Sequence, residues 1–183
     1  RSLESFSRLR RYGFASRCVL DSSLYAWNRF AQEFWENQGI QRDTVPLELN
    51  FKELRHRDNG KSELLLYGYL PLMVSAQCLQ KNLSHCKKDD GLLSLKDRYG
   101  KIFPVQCRCD CCYNLIYNCL PYGLPKEKDQ VGRLCPGSLR LMFTLESSQE
   151  TENILTEFTE LYRRGRTPRP MEVTRGHFKR GVE

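Results

Sequence analysis

Seven of the chain's nine cysteines fall between Cys78 and Cys119, and that density of thiols limits what the surrounding segments can fold into. Cys78 and Cys86 form one pair with seven residues between them; beyond a basic, turn-rich insert come Cys107, Cys109, Cys111 and Cys112. Cys109 and Cys112 make a CxxC step. Two thiolates on so tight a loop can turn toward one ion or cluster, and a second pair brought alongside completes a four-sulfur cage. Packing cysteines are scattered through cores, whereas these lie among Arg, Asp and Lys. An odd total without an export signal argues against a complete disulfide framework. Spacing alone leaves zinc and an iron–sulfur cluster both open. Cys18 and Cys135, in apolar settings, read as packing residues; Cys119 reads the same way, with a substitute-ligand role as its alternative.

Around this stretch the chain alternates. Gly13 to Asp21 is β-rich, and Asp21 or Ser22 caps a segment in which Leu24, Trp27, Phe30, Ala31, Phe34 and Trp35 recur at helical spacing until Gly39. Thr44 to Asn50 (TVPLELN) reads as a strand, with Asn50 capping the short helix FKELRHRD. After the Asp58-Asn59-Gly60 turn, Glu63 to Tyr69 is an apolar run suited to burial on both faces. LLSLKDRYGKIFPV has the form of a hairpin turning at Tyr99-Gly100, which returns Cys78 and Cys86 toward Cys109 and Cys112. Leu139, Leu141, Phe143 and Leu145 alternate as in a strand, and Ser147 with Glu150 has capping-box spacing ahead of a helix carrying Ile154, Leu155, Phe158, Leu161 and Tyr162.

Repeated strand–helix units imply a parallel sheet. The expected fold class is α/β, a partial (βα) barrel of the TIM type with a cysteine-rich hairpin insertion. The divisions are residues 1–70 for strand–helix units, 71–121 for the insertion, 122–164 for a final unit and 165–183 for a basic tail. A closed barrel takes about 250 residues, and this chain has 183 and starts with Arg, so it reads as the carboxyl-terminal half. No apolar run reaches the length of a membrane span, so no membrane partner and a cytoplasmic location are expected. The formal charge of +7 favours a polyanion such as RNA, with a solvated basic face as the plainer account.

YGYLPLMVSAQC, CRCDCCYNLIYN, TVPLELN, LKDRYGKIFPV and the closing TRGHFKRGVE together resemble the collagenase-like peptidase family, peptidase family U32, over nearly the whole chain. The resemblance implies a barrel domain with a four-iron four-sulfur cluster on Cys78, Cys86, Cys109 and Cys112, zinc being the alternative. Cys107 and Cys111 stand outside the family's pattern. For activity it implies either peptide cleavage or oxygen-independent hydroxylation of RNA or an aromatic precursor, with prephenate as hydroxyl source. The partners expected are an RNA or peptide substrate and the amino-terminal barrel half.

The residues themselves offer no protease machinery: His56, His85 and His177 sit in separate polar surroundings, without an HExxH helix or a GxSxG elbow. Glu48 and Asn50, at the end of an expected barrel strand, are catalytic candidates, against ion-pairing and helix capping as structural roles. Arg98, on the hairpin next to the cysteines, is a candidate grip for a carboxylate or phosphate, against an exposed pair with Asp97. The tail from Arg163 to Arg180 is either a phosphate-tracking arm or a docked segment. A non-catalytic, metal-stabilised binding module is the reading from outside the enzymes.

Overall fold

A computed structural model describes residues 2–83, 85, 88 and 90–181. In chain order the elements are α1 (Leu3–Arg11), β1 (Val19–Leu20), α2 (Arg29–Asn37), β2 (Arg42–Thr44), α3 (Phe51–Leu54), β3 (Ser62–Gly68), β4 (Pro71–Ser75), α4 (Leu79–Leu83), β5 (Leu92–Lys96), β6 (Ile102–Arg108), β7 (Tyr113–Tyr117), β8 (Tyr122–Gly123), α5 (Lys128–Leu134), β9 (Ser138–Met142) and α6 (Ser148–Arg164). The result is a mixed α/β fold with two sheets, and among the described residues neither sheet closes into a barrel.

The first sheet is parallel along β1, β2, β3 and β9, as strand–helix repetition requires. β9 runs the length of one edge of β3, while β2 and the short antiparallel β8 share the other. Leu64, Leu65, Leu66 and Tyr67 make β3 an uninterrupted buried run packed with Leu54, Leu124, Val131, Phe158 and Phe178. Burial on both faces is what a central parallel strand demands. Polar residues on the sheet are satisfied across strands: Arg140 on β9 pairs with Glu63 on β3 at 2.9 Å, and Thr44 on β2 donates to the same carboxylate.

Several expected elements differ: the β-rich run from Gly13 keeps only Val19–Leu20 as strand, the strand expected through Leu145 ends at Met142, α3 stops at Leu54, and two further changes have a clear local cause. The strand expected over Thr44–Asn50 ends at Thr44, because Pro46 has no N–H to continue the ladder and Leu47–Glu48 turn instead. The helix expected from Ser22 begins only at Arg29. Tyr25 takes a left-handed conformation after one 3₁₀ turn, and the Asn28 side chain accepts from the Ala31 N–H to start α2 afresh. Of the apolar stripe assigned to that helix only Trp35 is buried; Phe30 is 80% exposed.

The tail docks. Phe178 is buried beside Phe51, the Phe51 N–H donates to the Phe178 carbonyl at 2.8 Å, and Thr174 bridges to Tyr122. Val173 packs so closely on Gly123 that a Cβ there would stand 2.7 Å from its Cγ1, which requires glycine.

Candidate metal centre

The second sheet is antiparallel, in the order β4-β7-β6-β5, and its pairing decides where the cysteines go. Ser75 opposes Asn114 across β4 and β7, and Cys107 opposes Asn114 across β6 and β7. One end of this sheet therefore gathers the exit of β4, the turn between β6 and β7, and the entry to β5.

Asn114 is the joint. An asparagine is a poor strand residue in itself, yet this one is 2% exposed. Its side-chain amide donates to the carbonyls of Gln77 at 2.7 Å and Ser75 at 3.4 Å. The limb that reaches Cys78 is thus held against the strand that leaves Cys112 two residues earlier. From the other side, the Cys109 N–H donates to the Asp90 carboxylate at 2.6 Å and the Cys107 N–H to the Gly91 carbonyl, which ties the entry of β5 to the same turn.

The thiols sit in unlike surroundings. Cys78 heads α4, its sulfur accepting from the Lys81 N–H at 3.4 Å. Cys107 is buried within β6. Cys112 has φ of 55°, which folds its side chain back so that the thiol donates to the Cys109 carbonyl at 3.8 Å. Cys111 is exposed, and the Asp110 carboxylate, with some desolvation, pushes its thiol pKa up.

Cys78, Cys109 and Cys112 are therefore carried on adjoining segments, while Cys86 lies outside the described residues. Among the described residues, no three His, Cys, Asp or Glu side chains stand close enough together to hold a metal. The donors fit a thiophilic group in chemical type and in chain placement, and they do not by themselves close around one.

The other candidates are placed elsewhere. Arg98 is at the tip of the β5–β6 hairpin, and the seven residues of β6, about 23 Å at 3.3 Å per residue, separate it from the Cys109–Cys112 turn. There it stacks over Tyr99 at 4.7 Å, while Asp97 accepts from the Tyr99 and Lys101 N–H groups. The expectation that the hairpin tip lies beside the cysteines is corrected by that geometry: the two lie at opposite ends of one strand. Asn50 caps α3 in a full capping box with Glu53. Glu48 is half-buried in the turn after Pro46 rather than at a strand end. Cys18 is half-buried, its thiol donating to the Phe14 carbonyl at 3.2 Å, and Cys119 is half-buried as well. Cys135 is exposed at the left-handed end of α5, not packed as expected.

Asn114 and Asp90 were not found by sequence reasoning. The available signal was an asparagine inside an otherwise apolar and aromatic strand run, Tyr113 to Tyr117, where only a side chain with bonds to make belongs. No family model, curated protein or solved structure matches this chain. No helix among the described residues is long and apolar enough to cross a membrane.

Proposed function

We propose that this chain is an iron–sulfur protein of the U32 peptidase type, holding a four-iron four-sulfur cluster on Cys78, Cys86, Cys109 and Cys112. In this reading its parallel sheet is part of a (βα) barrel, and it acts in oxygen-independent hydroxylation of an RNA base or an aromatic precursor. The observation that carries the proposal is the Asn114 amide, which seats the Cys78 limb beside the CxxC turn. The cluster would supply electron transfer or Lewis acidity, which side chains lack. The chain's own part is to present thiolates, to hold two limbs in register through Asn114, and to fix the turn through Asp90 on the Cys109 N–H. Further barrel strands are the partner that the exposed β1 and β9 edges would take, since parallel sheets are ordinarily covered and continued.

The test is anaerobic purification followed by iron, sulfide and zinc analysis, then incubation with unmodified RNA and prephenate read by mass spectrometry. About four irons and four sulfides per chain, lost on Cys109→Ser, are expected. A colourless protein with one zinc and no sulfide removes the cluster, and cleavage of a collagen peptide without RNA modification replaces hydroxylation by hydrolysis.

A further inference from the structure

A second site lies where the two sheets meet. β3 ends at Gly68 and β9 at Met142, and beyond β9 the chain passes through Leu145 and Glu146 into α6. Leu92 on β5 and Pro104 on β6 overhang these strand ends from the antiparallel sheet. Between them is a cavity of about 340 Å³ lined by Tyr67, Tyr69, Leu92, Pro104, Glu146 and Glu150, among others. The carboxyl ends of parallel strands are where open α/β sheets take their ligands, and the volume is within the range of small-molecule pockets.

The lining has a definite electrostatic sense. In a chain with a formal charge of +7, this cavity is lined by two carboxylates and by no Lys, Arg or His among the described residues. Burial, and after it the Glu146 charge, pushes both phenol pKa values up. Tyr67 and Tyr69 therefore stay protonated and add no negative charge to the cavity. Glu150 is engaged at its own helix end, its Oε2 accepting from the Ser147 N–H and hydroxyl. Glu146 is half used. Its Oε2 accepts from the N–H groups of Thr144 and Leu145, which fixes the side chain; the Tyr67 phenol hydrogen-bonds the same side chain, and Oε1 is shielded from solvent with no hydrogen bond within 3.5 Å among the described residues. A buried carboxylate oxygen without a donor calls for one. An anionic ligand would have to lie against two like charges; a cationic donor meets both, and the Tyr69 ring adds attraction for a cation.

We infer that this cavity binds a small organic cation, an amine or amidine on an apolar body, with its N–H donors on Glu146 and its body between Tyr69 and the Leu92–Pro104 overhang. The inference does not rest on the cysteine centre and stands or falls apart from it.

Titration of the full chain with benzamidine, and separately with its neutral isostere benzamide and with benzoate, followed by NMR, tests it. Benzamidine is expected to bind, benzamide about tenfold or more weakly, in keeping with loss of a charge-assisted hydrogen bond, and benzoate not at all. Glu146→Gln should weaken benzamidine by a similar factor, while Glu152→Gln, on the exposed side of α6, should not change it. Equal binding of benzamidine and benzamide, absence of benzamidine binding, or an unchanged affinity in Glu146→Gln overturns the inference. If Glu146→Gln does not fold, Leu92→Trp decides: placed on an exposed strand position, it fills the cavity from above, and benzamidine affinity must fall. Retained affinity in that variant overturns the inference equally.

Discussion

The parallel and antiparallel sheets of this protein are stabilised by different means. The parallel sheet carries a continuous apolar core from β3 through α5 and α6 to the docked tail, and no residue of β4, β5, β6 or β7 belongs to its buried cluster. The antiparallel sheet buries Val105, Cys107, Asn114 and Tyr117 and leaves Leu72, Met73 and Val74 of its edge strand more than half exposed. Its order comes from ladder hydrogen bonds and from polar ties at one end, those of Asn114 and Asp90. A region with so little apolar burial gains most from a cross-link between its limbs, and thiolate–metal bonds are one such cross-link. Under the proposed function, the cysteines at one end of the antiparallel sheet would supply that cross-link.

The largest effect should come from the parallel side. Arg57 is buried and its guanidinium hydrogen-bonds the Asp43 carboxylate, the Asn59 and Ser62 side chains and the Ala26 carbonyl. Desolvation lowers the Arg57 pKa, and the Asp43 charge opposes that shift. Removing one partner of a buried pair strands the other charge, which typically costs about 3–5 kcal/mol. Asp43→Ala should therefore unfold the whole chain at much lower denaturant. A loss below about 1 kcal/mol would mean that water reaches the guanidinium and that the core is looser than its burial implies.

A second comparison separates the sheets directly. Leu66→Ala, in the centre of β3, should cost about 2–5 kcal/mol of global stability. Val105→Ala removes a fully buried side chain from β6, but its cost should appear mainly as faster amide exchange within β5, β6 and β7, since local units open below the global free energy. If Val105→Ala instead shifts global unfolding as far as Leu66→Ala, the two sheets form one cooperative unit and the contrast fails.

Legibility in the sequence followed the same division. The β3 run, the β5–β6 hairpin and the α6 capping box were readable because each is set by neighbours in sequence: an apolar block, a Tyr-Gly turn, a Ser and a Glu three apart. The parallel strand–helix alternation was readable for the same reason. What failed depended on competition or on distance. Asn28 outcompeted Asp21 as the helix start, and Pro46 ended a strand that β-propensity would have continued. The distance of Arg98 from the cysteines required knowing which end of the hairpin pairs with β7, and the roles of Asn114 and Glu146 required knowing which segments come to meet them. Periodicity does not carry that information.

The smallest effect tests a local signal inside the well-packed region. Ser147 caps α6 by accepting from the Glu150 N–H, and Glu150 reaches back to the Ser147 N–H. Ser147→Ala should cost about 1 kcal/mol. The pH dependence has a fixed sign. The Ser147 hydroxyl, and then its N–H, hold the Glu150 carboxyl below its ordinary value of 4.5. The folded state therefore binds the proton less tightly than the unfolded chain. The contribution is complete above that ordinary value and is lost as pH falls through the lower folded value. Wild type should lose this increment of stability on acidification, and Ser147→Ala, lacking the hydroxyl, should lose less of it. Because α6 packs on β3 through Phe158 and Tyr67, the change belongs to the parallel region, and amide exchange in β6 and β7 should not follow it. Equal acid sensitivity in the variant and the wild type would show that the backbone N–H alone holds the carboxylate, and the hydroxyl would then have no electrostatic part in capping α6.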